Sequence, residues 1–547
     1  MSRAASRRTR DEGGYVAVVS GLLLIVLLGF SAFAVDVGHW YLEGQRAQRA
    51  ADAAALAGVT KLPGDRPAAF QTARDYATGN GYTNGGGTTV SSALAGGSTR
   101  LRVDVSTQVA NIFGGFLGLP TTAVSRHAVA EFAAPVPLGS PCNRFGDDPE
   151  NSTTYNSTSC NAAGNFFAMV GNYGTDKTQG DAFQNGTCTS GVDGCSGSTN
   201  TDYDENGYVY TVTLRQAVTD LTIEAFDPAQ VVTGAKCDNP QLSGAAGLNT
   251  SKTLVTDPAT RYQTGPGDWC PGDSAFPNSN TKNIGLLTTE FTIRSPGANP
   301  WEPTAWPVMT GTCAPKTFDG FNEDLSKVLD KTTSQYNARK DVALNFRRWV
   351  QLCKVPGLTP AGTYSIQVKT NGQGTDAQEG HNRFALRARG SGANDKDNIA
   401  VAGFTKMALF ANTPNGTSTF YLARIPGNSD GQFFNVNLFD IGEGAGTGSY
   451  VRVVPPAENG SSAKFSGCTG KGKYNGALID CKVTVNSGFD GKWQTITVPI
   501  PSTYSCTDSS PTGCWVRLEF NYGSGSSPTD TTSWSASLDG DPIRLVE

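Results

Sequence analysis

Histidine is scarce in this chain, three in 547 residues, and charged residues make up only 17%. Chemistry that depends on clustered imidazoles has little to draw on. His39, His127 and His381 stand far apart, and none is paired by sequence with a nucleophile or a ligand cluster. The net charge is −5, with no basic cluster beyond the N-terminal flank, so the electrostatic footprint of nucleic-acid binding is missing. No Cys-x-x-Cys occurs, and no cysteine precedes Cys142. The usual zinc spacing is therefore absent. One further absence is local: Tyr15 to Val35 contains no charged side chain.

That run of 21 residues is long enough to cross a bilayer as a helix, which takes about 20 apolar residues. Arg3, Arg7, Arg8 and Arg10 precede it. Positive charge stays on the cytoplasmic side, so the N-terminus is expected inside and everything after Asp36 outside. A cleaved signal peptide is the rival reading, with Ser31, Ala32 and Ala34 as a mimic of its cleavage site. The run exceeds the roughly 7–15 residues of a signal's apolar core. The stretch after the run also favours an anchor. Trp40 to Val59 is rich in Ala, Gln, Arg and Leu, has no proline before Pro63, and predicts a helix continuing straight out of the membrane. Ala47, Ala51, Ala54 and Gly58 put small residues on one of its faces, which permits close packing. Two surfaces could receive that face: a second helix of the same kind, or the domain's own strands.

The segment resembles the N-terminal Tad domain of TadE/TadG-like Flp-pilus-assembly proteins. The residues that carry the resemblance are Gly13-Gly14, Val35-Asp36-Val37-Gly38 and the string Gln48 to Gly58 (QRAADAAALAG). The likeness extends to about Phe132 through a strand–helix–strand pattern in Leu101–Val109, Asn111–Leu119 and Thr121–Phe132. It implies a membrane-anchored part of a pilus-assembly or related surface apparatus, with other pilus-assembly proteins as partners. Two departures limit it. No acid follows Gly14 within YVAVVSG, where pilins of this system carry a Glu for prepilin-peptidase processing. Asp104 to Gln108 (DVSTQ) holds only part of the DxSxS metal motif found in some relatives, so no such metal site is expected.

The remainder reads differently. It is rich in Gly, Ser, Thr and Asn, as turn-rich β structure is. All 12 cysteines lie between Cys142 and Cys514. An even number beyond a membrane anchor predicts disulfides. Sequence neighbours suggest the pairs Cys142/Cys160, Cys188/Cys195, Cys237/Cys270, Cys313/Cys353, Cys468/Cys481 and Cys506/Cys514, although spacing alone does not fix connectivity.

Alternating strands occur twice in a similar order. Tyr208–Leu214 and Leu221–Pro228 are followed by Thr363–Lys369 and Asn382–Ala388. Thr419–Ala423 and Phe434–Asp440 are followed by Cys514–Tyr522 and Ser533–Leu538. In both series the second strand ends in Phe-Asp. Alternation marks half-buried antiparallel strands, so two β-sandwiches are expected; an array of small modules fits so weak a repeat equally well. The fold class is α+β. A cytoplasmic tail (1–14), a transmembrane helix (15–35) and an extracytoplasmic α+β segment (36–132) lead through a linker (133–140). Two sandwich domains, 141–392 and 393–547, complete the chain. The first is long enough to need insertions, at Lys236–Asn280 and at Phe321–Leu352. In the second of these, Leu325, Val328, Leu329 and Trp349 predict a helix.

Candidate chemistry is sparse. Asp202, Asp204 and Asn206 resemble the start of a calcium loop, but Thr213 stands where the twelfth-position acid belongs. A polar turn is the plainer reading, with a structural Ca²⁺ as the alternative and no other cofactor expected. Gly427 to Gly431 matches GxSxG, yet a strand follows it, whereas a nucleophile elbow leads into a helix. Expectation therefore falls on a non-enzymatic, single-pass membrane protein of pilus assembly. The rivals are a surface adhesin or binder of cell-wall glycan, and last a cell-wall hydrolase. Exposed Trp301, Trp306, Trp515 or Trp534 would favour the glycan binder.

Overall fold

The computed structural model describes residues 13–62, 65–95, 99–132, 135–148, 154–157, 166–231, 273, 287–297, 299–321, 333–370, 380–412, 416–427, 429–442, 444–460, 462–507, 510–523, 529–539 and 543–546. The chain forms two compact units. One is Met1–Ala134 together with Gly540–Glu547, and the other is Pro135–Asp539.

The first unit is built on α1 (Gly13–Val59), a continuous helix of 47 residues, about 70 Å long at 1.5 Å per residue. It does not break at Asp36. Its apolar half is exposed, and it is long and apolar enough to cross a membrane. Asp65 then caps α2 (Arg66–Gly79), its carboxylate accepting the Ala68 N–H at 2.9 Å, with proline in the first turn. Three strands come next, β1 (Thr89–Leu94), β2 (Arg100–Ala110) and β3 (Thr121–Phe132), paired antiparallel in that order. In β2 the residues alternate: Leu101, Val103 and Val105 are buried, while Arg102 and Asp104 pair on the other face. A last strand, Ile543–Leu545, joins the far side of β3, with Ile543 opposite Phe132.

The second unit consists of two antiparallel layers. In chain order its main strands are β4 (Phe166–Gly171), β5 (Tyr208–Leu214), β6 (Val218–Phe226), β7 (Thr289–Arg294), β8 (Trp349–Thr359), β9 (Gly362–Thr370), β10 (His381–Arg389), β11 (Ile399–Phe404) and β12 (Lys406–Asn412). They continue with β13 (Thr417–Arg424), β14 (Phe433–Phe439), β15 (Tyr450–Val454), β16 (Trp493–Pro499), β17 (Trp515–Asn521) and β18 (Thr529–Leu538). One layer runs β8-β6-β10-β4-β12-β18-β14-β16. The other runs β7-β9-β5-β11, then the short strand Pro137–Leu138, then β13-β17-β15. Aromatic pairs join the layers: Phe166 with Phe420 at 5.7 Å and Phe291 with Phe384 at 5.3 Å. One continuous core lies between them.

The repeat is visible in this topology. β5, β6, β9 and β10 of the first half correspond to β13, β14, β17 and β18 of the second, and each layer has the same order read from either end. The shared Phe-Asp ending has a structural cause. Asp227 and Asp440 both take left-handed backbone, φ 52° and 60°, a conformation Asp tolerates better than most residues. Each carboxylate accepts the backbone N–H of a residue that is itself left-handed, Arg347 at 3.1 Å and Gly491 at 2.7 Å. These contacts fix the entries to β8 and β16.

Several expectations are corrected. The division at 392/393 is not a domain boundary. β11 pairs with β5, as Val401 opposite Val212, and β12 pairs with β4, as Ala408 opposite Met169. The halves are therefore joined edge to edge in both layers, which removes the open edges two separate sandwiches would present. The expected linker contributes Pro137–Leu138, which wedges between β11 and β13. The C-terminal boundary also moves, because Gly540–Glu547 belongs to the first unit. Trp349 opens a strand instead of ending a helix; among the described residues the helices there are the short Ser334–Ala338 and Lys340–Asn345. Leu325, Val328 and Leu329, and the insertion Lys236–Asn280 apart from Asp273, lie outside the described residues.

Candidate functional site

The feature that stands out in the first unit is the place where α1 leaves its apolar half. Asp36, the first charged residue after the run, is nearly fully buried. Its carboxylate accepts the backbone N–H groups of Ile112 at 2.7 Å, Phe113 at 3.2 Å and Gly114 at 2.7 Å. These open the β2–β3 loop, whose short 3₁₀ turn spans Gly114–Leu117. One carboxylate thereby satisfies three adjacent donors, and hydrogen bonds to an ionised acceptor are among the stronger ones. Trp40, one turn further along α1, donates from Nε1 to Asn111 Oδ1 at 2.8 Å. Asn111 donates in turn to the Leu119 carbonyl at 2.8 Å, which closes the loop. A groove of about 600 Å³ lies between α1 and this loop, lined by Leu28, Phe33 and Val35 on one side and Phe113, Phe116 and Leu119 on the other. Further along, Tyr82 donates to Glu43 at 2.8 Å, and burial followed by the Glu43 charge pushes its phenol far above the ordinary tyrosine range.

The small-residue face is occupied from within. Ala47, Ala51 and Ala54 are fully buried in this unit. A Cβ added to Gly58 would lie 2.5 Å from Leu101, 2.7 Å from the Ala69 carbonyl and 3.0 Å from Ala73. At Gly58 the neighbours come from its own unit, α2 as well as the strand β2.

Residues 14–61 match a family model described as putative Flp pilus-assembly TadE/G-like. The N-terminal segment is a Tad domain. No curated protein matches the chain. The match ends two residues past α1, so the Tad domain as matched is the long helix and its first turn outward. Asp36, Trp40 and the small-residue face all belong to it. The chain thus carries a TadE/G-like segment at its N-terminus, on one helix fit to span a membrane, ahead of a β-rich remainder.

In the second unit the calcium-loop residues are engaged otherwise. Asp202 pairs with Lys177 at 2.6 Å and accepts Trp493 Nε1 at 3.0 Å. Asp204 pairs with Lys406 and accepts the Asn206 N–H at 2.8 Å. The two carboxylates are thus drawn to different lysines. A cluster of Glu458, Cys506 and Cys514 has the proximity of a metal site, but its sulfurs are bonded to each other. Cys188–Cys195, Cys313–Cys353 and Cys468–Cys481 are likewise disulfides. Cys142 is also disulfide-bonded; Cys160, Cys237 and Cys270 lie outside the described residues. Ser429 of the GxSxG match is buried in a turn entering β14, its N–H donating to the Pro426 carbonyl at 3.1 Å. Trp306, Trp515 and Trp534 are buried and Trp301 is half-buried, so they form no exposed aromatic platform.

Sequence reasoning alone misses Asp36 as a functional residue. The available signal is a lone acid directly after an apolar run, which reads there only as the end of the membrane segment.

Proposed function

We propose that this protein is a non-enzymatic, single-pass membrane component of a Flp/Tad pilus-assembly or related surface apparatus, with its N-terminus cytoplasmic and its β unit outside the cell. The observation that carries this is the unbroken α1: the Tad match covers the apolar run and the helix that continues from it without a joint. Arginines before the run support the orientation. Disulfides confined to the β unit support an oxidising exterior. For a role in contacts instead of chemistry, the support is that Asp202 and Asp204 are committed to ion pairs and that Ser429 is buried in a turn.

The test has two parts. Protease added to intact cells or spheroplasts should degrade the β unit and spare an N-terminal tag, and the reverse pattern would refute the orientation. Deleting the gene in its host should abolish or alter surface fibres, with rescue by the full chain but not by a chain lacking residues 15–35. Unchanged fibres would refute the assembly role.

A further inference from the structure

We propose that the loop Asn111–Pro120 is a second membrane contact, and that acyl chains of the leaflet from which α1 emerges fill the groove between it and α1. The proposal rests on the membrane-anchored reading above.

Three observations meet here. The first is depth. The run Tyr15–Val35 is about 31 Å long as a helix, close to the roughly 30 Å of a hydrocarbon core. That places Asp36 at the membrane boundary and Leu28 about 12 Å inside it. The groove's helix wall runs from Leu28 to Asp36, with Trp40 one turn beyond, so most of it lies within one leaflet. Asp36 holds the loop at this level through three backbone hydrogen bonds.

The second is composition. The loop NIFGGFLGLP has no charged side chain, and it presents Phe116 at 88% and Leu119 at 63% exposure. A water-facing loop gains nothing from such residues, whereas aromatic and apolar side chains at an interface do.

The third is the backbone. Irregular chain in lipid must satisfy its polar groups internally. Here Ile112, Phe113 and Gly114 donate to Asp36, Phe116 donates to the Phe113 carbonyl, Gly118 to Gly115 and Leu119 to Gly114. The Asn111 N–H bonds to the Pro120 carbonyl, and the Asn111 side chain caps Leu119. The groove is continuous with the lipid-facing surface of α1, which selects lipid as its occupant.

The test uses the full chain in vesicles of phosphatidylcholine and phosphatidylglycerol, with p-benzoylphenylalanine in place of Phe116, Leu24 or Tyr76. All three positions are exposed, so the probe displaces no packed neighbour. Leu24 lies within the apolar run and Tyr76 on α2. After irradiation, lipid adducts are expected at 24 and 116 and none at 76. Adducts at 24 without lipid adducts at 116, or adducts from 116 to a second polypeptide, would overturn the lipid proposal and leave the anchor standing. An absence of lipid adducts at 24 would overturn the anchor itself.

Discussion

Replacing Gly58 with alanine sets two effects of known size against each other. In an exposed helix, Gly→Ala stabilises by about 1 kcal/mol, and somewhat less near a helix end. Gly58, however, sits where α1 meets α2. The added Cβ would lie 2.7 Å from the Ala69 carbonyl and 3.0 Å from the Ala73 Cβ, both fixed to the α2 backbone. Leu101 can turn its methyl away, but α2 must shift bodily. Overpacking of this kind costs about 1–3 kcal/mol, and backbone contact places it at the upper end. The net expectation is a loss of about 1–2 kcal/mol, which speeds exchange through local opening about 5–30-fold. Gly38→Ala on the same helix meets nothing within 4 Å, so it should be neutral or stabilising by up to about 1 kcal/mol. Hydrogen exchange of the α2 amides, Arg66–Gly79, in the detergent-solubilised full chain reads both variants. If Gly58→Ala exchanges no faster than wild type, the close approach of α1 and α2 is wrong.

Other outcomes concern the β unit. Replacing both Cys313 and Cys353 with serine opens a 40-residue loop and should cost about 4 kcal/mol in the loop-entropy picture; the Cys188/Cys195 pair, separated by 7, should cost about 2.5 kcal/mol. Equal urea midpoints for the two double variants would contradict this order. Glu224→Ala removes a carboxylate that pairs with buried Arg387 at 2.8 Å and with Arg389 at 3.0 Å; Asp148 still pairs with Arg387 at 3.5 Å, so the expected loss is about 3 kcal/mol, the low end for a broken buried pair, and near-ultraviolet dichroism of the buried tryptophans would detect it. His381 is fully buried, and burial, reinforced by Arg383, holds its pKa well below the ordinary histidine range. The unfolded chain therefore takes up this proton first. Stability should be undiminished above the ordinary histidine value and fall as pH drops towards the lowered one, by up to about 1.4 kcal/mol per pH unit. His381→Asn should flatten that slope in urea titrations, and an unchanged slope would exclude His381 as its source.

Local pattern carries most of what is legible in the sequence. The uncharged run and the proline-free stretch after it specify α1, because helix propensity and apolar length are properties of consecutive residues. The Phe-Asp endings mark real structural equivalents, since each Asp serves the same left-handed turn. Strand partners are not legible. Alternation in Ile399–Phe404 tells which side chains face inward, but not that Val401 lies opposite Val212 across the expected boundary. The loop at 111–120 shows in the sequence only as part of a strand–helix–strand pattern. Its attachment to Asp36 spans 76 residues of sequence, a separation at which neither spacing nor periodicity carries information.

The return of Ile543–Leu545 to β3 makes the β unit, in sequence, an insertion within the Tad-bearing unit. This has a consequence in time. On the orientation proposed above, with the N-terminus held in the cytoplasm and the rest exported in chain order, α2 and β1–β3 cross early, but the strand that covers the outer edge of β3 arrives only after the whole of Pro135–Asp539 has crossed. Until then β3 offers an unpaired edge close to the membrane, open to any extended segment that can add to it. On that orientation, completion of the membrane-proximal sheet thus reports that Pro135–Asp539 has crossed.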